Sequence, residues 1–366
     1  MINLIDFTRP ELEAFMTAEL GEPGFRAAQV WQWMWQKGET SFAAMTDVSR
    51  AAREKLTGRA AIRLPEIVAE QTAADGVRKF LLLLEDGETV ETVLIPGEER
   101  GHLRRLTQCL SCQVGCAMGC AFCATGDMGF VRNMTAGEIA GQVLAVKKAI
   151  GDTRQDRPLI RNVVFMGMGE PLLNLDAVLR SLTVLNHKQG LNFSPRRITV
   201  STCGLPHGLR ELGESGLAFL AVSLHAADQQ LRARLMPKAA RWPLEDLVSA
   251  LAAYPLKARE RITLEYLMLG GVNDSPAQAK ALARIVSRIK AKLNLIVYNP
   301  SGGDAPYRAP TEEALAAFQK ILWDKRITAI LRKSKGLDIK AACGQLRAQA
   351  FSPVEPHPAP AGRPAG

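Results

Sequence analysis

Three cysteines stand close together in the run Cys116-Ala-Met-Gly-Cys120-Ala-Phe-Cys123. Their C-x3-C-x2-C spacing lets one short loop offer three thiolates to three irons of a four-iron cluster. Four cysteines would close such a cluster; three leave one iron open to an exogenous ligand. The competing reading is a zinc knuckle. Zinc favours paired C-x2-C units and a fourth Cys or His ligand, and no His-x3–5-His follows this run. The spacing favours the cluster.

Other residues that could do chemistry recur where apolar runs end. Gly167-Met168-Gly169-Glu170-Pro171 follows one such run. It is not a dinucleotide fingerprint, because no G-x-G-x-x-G opens a helix. Its glycines allow a backbone to approach a ligand closely. Ser201, Ser223-Leu224-His225-Ala226 and Asn299-Pro300 end three further runs. One such residue would be a cap or a turn former; several predict one binding rim. Cys343 lies between small neighbours that leave its sulfur accessible. Cys203 reads as a buried apolar cysteine, and Cys112 has no assigned role.

The elements that must position these residues follow from the rest of the chain. Its 366 residues suffice for one large α/β domain and a small accessory one. Apolar residues make up 47%, enough for a core, and no run reaches the length of a membrane span. The first six residues lack the basic and apolar regions of a secretory signal, so a cytoplasmic location is expected. Of seven cysteines, four fall between residues 109 and 120, which suits metal or redox chemistry rather than structural disulfides. The net charge of +9 suits a polyanionic partner, because Lys and Arg displace counterions from phosphates. A monomer is expected.

Residues 1–65 read as a helical accessory unit. One helix is predicted over 10–20, with Leu12, Phe15, Met16 and Leu20 on a stripe, and another over 25–37, with Val30, Trp31, Met34 and Trp35 apolar. The tryptophans read as core rather than as an RNA-stacking surface. Residues 66–104 read as a β-meander, with strands at 67–71, 79–84 and 89–95 and turn chemistry at Ala74-Asp75-Gly76 and Glu85-Asp86-Gly87. Residues 105–350 alternate strands (162–166, 197–201, 218–223, 261–268, 294–298, 327–332) with helices (136–150, 175–187, 205–215, 244–254, 276–290, 311–325). Thr135 and Glu138 form a capping-box signature. This alternation predicts an incomplete (β/α)6 barrel with ligands at the C-terminal strand ends. Residues 351–366, rich in Pro, Ala and Gly, predict a disordered tail.

Several motifs occur in one order: Cys116 to Cys123, Ala124-Thr125-Gly126, Gly129-Phe130, Arg132-Asn133, the Gly-Met-Gly-Glu-Pro segment, Ser-Leu-His-Ala, and Ala-Ala-Cys343-Gly-Gln-Leu. Together, over roughly residues 5 to 350, they closely resemble the RlmN family of radical SAM RNA adenine C2-methyltransferases. The resemblance implies a radical SAM partial barrel. It implies a [4Fe-4S] cluster on Cys116, Cys120 and Cys123, and S-adenosylmethionine (SAM) bound by Gly169, Glu170, Ser201, Ser223, Leu224, His225 and Asn299.

It further implies two SAM per methylation, because carbon 2 of adenine is electrophilic and cannot attack a methyl group. Cys343 would accept a methyl group from the first SAM. A 5′-deoxyadenosyl radical from the second would take a hydrogen from that methyl, and the carbon radical would add to the base. Glu91, otherwise a solvent-facing strand glutamate, resembles the proton acceptor. Cys109 resembles the thiol that attacks Cys343, forming a transient disulfide and freeing the base. The implied partners are 23S rRNA near the peptidyl-transferase centre, the adenosine beside the anticodon of some tRNAs, and an electron donor such as flavodoxin, with the N-terminal unit docking RNA.

Departures from the family pattern are few. Cys112 and Cys203 replace expected serines, Ala239-Ala240 replaces a polar and basic pair, and the segment holding residues 101–105 is long. Carbon-8 methylation of the Cfr type and a metal-binding RNA-binding protein without catalysis remain alternatives. A glycyl-radical activase would leave Cys109 and Cys343 unexplained.

Overall fold

A computed structural model describes residues 1–99, 102–153, 158–300 and 307–348. The proline-rich tail and residues 100–101 of the long segment lie outside the described residues. Three helices come first: α1 (Arg9–Ala18), α2 (Gly24–Trp35) and α3 (Arg50–Arg59). Trp31 and Trp35 of α2 are buried, their rings 5.8 Å apart, as the helical spacing predicts. Trp31 also meets His187 of the barrel edge-on at 5.0 Å. The sequence reading missed α3, whose RAAREKLTGR sequence buries only Ala52 and Leu56.

Ten strands form one sheet in the order of the chain. They are β1 (Glu66–Thr72), β2 (Arg78–Leu83), β3 (Thr89–Glu99), β4 (His102–Cys109), β5 (Ile160–Phe165), β6 (Ile198–Thr202), β7 (Phe219–Ser223), β8 (Ile262–Met268), β9 (Ala291–Val297) and β10 (Ala329–Arg332). The strands β1 to β4 pair antiparallel. Their first two turns are closed by Asp75 and Asp86, whose carboxylates accept the amides of Val77 and Glu88. The third strand runs four residues past the expected end. Pro96 and Gly97 look like a stop in sequence, yet their segment pairs with β4.

From β4 to β10 every pair is parallel, which requires a crossover at each step. The crossovers hold α4 (Ala136–Ala149), α5 (Leu175–Asn186), α6 (Pro206–Ser215), α7 (Gln229–Leu235) with α8 (Leu244–Ala252), α9 (Pro276–Val286) and α10 (Glu312–Asp324). Six βα units followed by a seventh parallel strand make the incomplete barrel that the alternation predicts. The short α7 was not foreseen; its QQLRARL sequence carries too few apolar positions to show a period.

The helix α4 is buried nearly all round because it lies between sheet and N-terminal unit. Its capping box of Thr135 and Glu138 is formed, and the Gly137 amide donates to Asp6 Oδ1 at 3.2 Å. Arg180 of α5 grips both carboxylate oxygens of Glu11 at 2.6 and 2.9 Å. These contacts fix the accessory helices against the barrel wall.

Candidate active site

The chain leaves β4 at Cys109 and is clamped before it reaches Cys116. The buried Gln142 of α4 accepts the Ser111 amide at 3.1 Å and donates to its carbonyl at 2.7 Å. Ser111 Oγ donates to the Glu91 carbonyl at 2.6 Å and accepts the Met168 amide at 2.9 Å. Asn174 donates to the carbonyls of Cys112 and Met134, both at 2.8 Å. None of these anchors was legible as functional in sequence, because an isolated Ser, Gln or Asn carries no spacing signal.

Met168, Gly169 and Glu170 follow β5. Gly169 has φ +103°, and a Cβ there would lie 2.6 Å from Gln113 Cβ and 2.8 Å from its amide nitrogen. The close approach expected of this glycine is thus to the cluster loop. Gly169→Ala is expected to cost about 2–5 kcal/mol, from left-handed strain plus overlap with fixed backbone. The midpoint of urea unfolding measures this, and a shift under 1 kcal/mol would refute it.

The parallel strand ends surround a cavity of about 160 Å³. Cys116, Cys120 and Cys123 line it, with Phe122 between them, and so do Gly169, Glu170, Ser201, Ser223, His225 and Cys343. Leu224 is in the core and Asn299 is off the lining, its amide donating to Ser334 Oγ at 2.5 Å. Burial pushes the Cys116 thiol up to about 12, and it raises Cys123, with Cys120 adding repulsion.

Thiolates so placed call for bound cations, and three on one loop fit three irons of a four-iron cluster. Cys109-Leu-Ser-Cys112 gives the chain a second C-x2-C unit, so spacing alone excludes zinc less firmly than the Cys116 run suggests. Neither cysteine of that second unit lines the cavity. Cys112 is buried off the cavity. Among the described residues, no three Cys, His, Asp or Glu side chains converge as a single ion requires. A cluster spreads its ligands over several irons and needs no such convergence.

Cys203 is not the core cysteine expected. It lines the cavity, and its thiol lies within hydrogen-bonding reach of Cys120, which with burial raises it well above the ordinary range. Its amide donates to Glu170 Oε2 at 2.7 Å, while Thr202 Oγ1 and the Leu172 amide donate to Oε1 at 2.6 and 3.0 Å. Burial nonetheless holds the Glu170 carboxyl above its usual range.

His225, at φ +55°, packs edge-on against Phe122 with ring centres 5.0 Å apart. Its Nδ1 accepts the Leu267 amide at 3.0 Å, which makes it the neutral Nε2–H tautomer. Burial, helped by the charge of Arg232, moves its pKa from 6.5 down to about 3. Between these values the unfolded chain binds the extra proton. The stability contributed is therefore intact above pH 6.5 and lost as pH falls toward 3, by about 1.4 kcal/mol per unit. Urea unfolding at pH 7 and 5 should show the loss, and His225→Gln should flatten it. Equal slopes in the two proteins would contradict the assignment.

The three remaining residues come from separate elements, and of these only Cys343 lines the cavity. Glu91 on β3 is 1% exposed, not solvent-facing. It pairs with Lys79 Nζ at 3.2 Å and accepts the Arg347 amide at 2.9 Å. Cys343 is exposed yet lines the cavity, and the dense surroundings push its thiol up to about 11, Glu265 and Cys123 adding to the effect. Its segment is zipped to the cluster loop. The Ala124 amide donates to the Gly344 carbonyl at 2.8 Å, and Thr125 Oγ1 donates to the Leu346 carbonyl at 2.6 Å. Cys109 is buried at the end of β4, which raises its thiol, and it lies close enough to Cys343 that charge there raises it further.

Residues 110–283 match the radical SAM superfamily, and residues 2–62 match the ribosomal RNA large subunit methyltransferase N-terminal domain. A dual-specificity RNA methyltransferase RlmN of Nitratidesulfovibrio vulgaris is 66% identical over 95% of both chains. The chain belongs to the RlmN family of radical SAM methyltransferases. An RlmN of Geobacter sulfurreducens is 46% identical over 95% of this chain and 92% of its own. The crystal structure of a radical SAM methyltransferase from Sphaerobacter thermophilus superposes with a TM-score of 0.86 at 41% identity, covering 95% of this chain and all of the other. Family membership sets aside the non-catalytic reading. Among the described residues, no helix is long and apolar enough to cross a membrane.

Proposed function

We propose that this protein methylates carbon 2 of an adenine in 23S rRNA, and of the adenosine beside the anticodon in some tRNAs, in the cytoplasm. The observation that carries the reading is the placement of Cys343 on the same cavity as Cys116, Cys120 and Cys123, with Cys109 beside it. A pure binding module has no use for that second pair of thiols.

Cys116, Cys120 and Cys123 would hold the cluster, and Gly169, Glu170, Ser201, Ser223 and His225 would orient SAM, with Leu224 and Asn299 supporting them. A cluster held there would supply one-electron reduction of SAM, and with it hydrogen abstraction, drawing its electron from a low-potential donor such as flavodoxin. Cys343 carries the methyl group on sulfur. Glu91, paired with Lys79, takes the proton lost from the base. Cys109, as the thiolate, then attacks the Cys343 sulfur; the S–S bond forms as the sulfur–carbon bond breaks, and the released carbon takes the electron pair and a proton to become the methyl group. An adenine must leave its stack to reach this cavity, and the net positive charge favours a polyanion.

The test is anaerobic reconstitution with iron and sulfide, followed by SAM, a reductant and unmodified 23S rRNA. The digested RNA is then analysed by mass spectrometry. 2-Methyladenosine is expected. 8-Methyladenosine would move the protein to carbon-8 chemistry, and no methylated base from cluster-loaded protein would overturn the substrate.

A further inference from the structure

Among the described residues Arg232 is the only arginine buried from solvent. Its Nη2 donates to the Cys203 carbonyl at 2.9 Å, while Nε and Nη1 are buried without a partner. An unpaired guanidinium in the interior costs several kcal/mol unless a negative charge meets it. Arg232 projects from α7, and that helix is joined to the cluster loop by the Ala121 amide, which donates to the Leu235 carbonyl at 2.9 Å. Both Cys203, whose carbonyl it holds, and Cys120 line the cavity. Negative charge on either of these two sulfurs would act on the guanidinium and favour its charged form. A four-iron core held by three thiolates is net negative, and one-electron reduction adds a further negative charge, whose cost sets the potential.

We propose that Arg232 is the fixed counter-charge of the reduced cluster, raising the potential at which it accepts its electron. The proposal rests on the reading that Cys116, Cys120 and Cys123 hold a four-iron cluster. A cation kept out of water is screened less than one at the surface, and this one is already in place when the electron arrives.

Arg232→Met keeps similar bulk without the charge, and Arg232→Lys keeps the charge. Each is reconstituted anaerobically and titrated with dithionite against redox dyes, following the cluster absorbance. At a fixed potential the ratio of reduced to oxidised cluster should fall at least about tenfold in Arg232→Met, equivalent to about 59 mV for one electron. Arg232→Lys should stay near the parent. The cluster-free proteins should show the opposite trend: Arg232→Met unfolds in urea no earlier than the parent, because the charge it lost had no counter-anion.

An unchanged potential in Arg232→Met overturns the proposal. So does a cluster-free Arg232→Met that is clearly less stable than the parent, since the arginine is then a structural donor to Cys203. If Arg232→Met binds no cluster and Arg232→Lys binds a full one, charge is again the requirement and the proposal stands. If neither variant binds one, guanidinium geometry is the requirement and the proposal falls. A parent protein that takes up no iron fails differently, because that result removes the cluster reading itself.

Discussion

Cys343→Ala leaves the iron content of the reconstituted protein unchanged and lowers methylation by roughly a thousandfold or more, the scale of removing a covalent nucleophile. The side chain is exposed, so its loss leaves no cavity in the core. The bonds that seat its segment run through backbone and neighbours: Gly344 to Ala124, Leu346 to Thr125, and Arg347 to Glu91. They survive the substitution. What disappears is the only exposed cysteine on the cavity. Its thiol, pushed up to about 11, must lose a proton before it can accept a methyl group. The self-methylation of the parent should therefore accelerate as pH rises toward that value. Mass spectrometry of the peptide containing Cys343 reads this step without RNA. A Cys343→Ala protein that still produces methyladenosine at the parent rate would sink the proposed chemistry.

Cys109→Ala should have the reverse signature. RNA becomes attached to the protein and stays there, seen as a slow band on a denaturing gel, while multiple turnover falls by about a hundredfold or more. The argument is positional: Cys109 ends β4 next to Cys343, so it is placed to free the base, not to load it. Burial, and after it the Cys343 charge, hold its thiol far above the ordinary range. Release needs the thiolate, so it should quicken with rising pH in a chase experiment. The double variant lacking both thiols should show no adduct. Free methylated RNA at normal yield from Cys109→Ala would assign release to another group.

The meander and the barrel were legible because their signals are local. The Thr135–Glu138 box and the turns at Asp75 and Asp86 each depend on residues a few positions apart. Most of the rim was legible too, because polar residues ending apolar runs share one side of a parallel sheet; Asn299 ends its run off the lining. Other features depend on partners distant in sequence. Nothing around Glu91 announces that Lys79 is its counter-ion and Arg347 its donor. Nothing near Gly169 shows that Gln113 is what it makes room for. Cys203 looked like core because its neighbours are small or apolar; only the meeting of β6 with the cluster loop puts it beside Cys120. Arg232 was hidden in a helix too short to display a face.

Every strand of the sheet lies beside the one that follows it in the chain. No strand has to be threaded between two already in place, and each new pairing closes only the segment between consecutive strands, an entropy cost that grows slowly with length. Fluctuations of such a sheet begin at its rims, β1 and β10, and move inward one strand at a time. Amide hydrogen exchange should therefore be graded, fastest in those two strands and slowest in β5 to β7. The interior strands that carry Glu170, Ser201 and Ser223 at their ends keep their alignment while the margins of the sheet breathe.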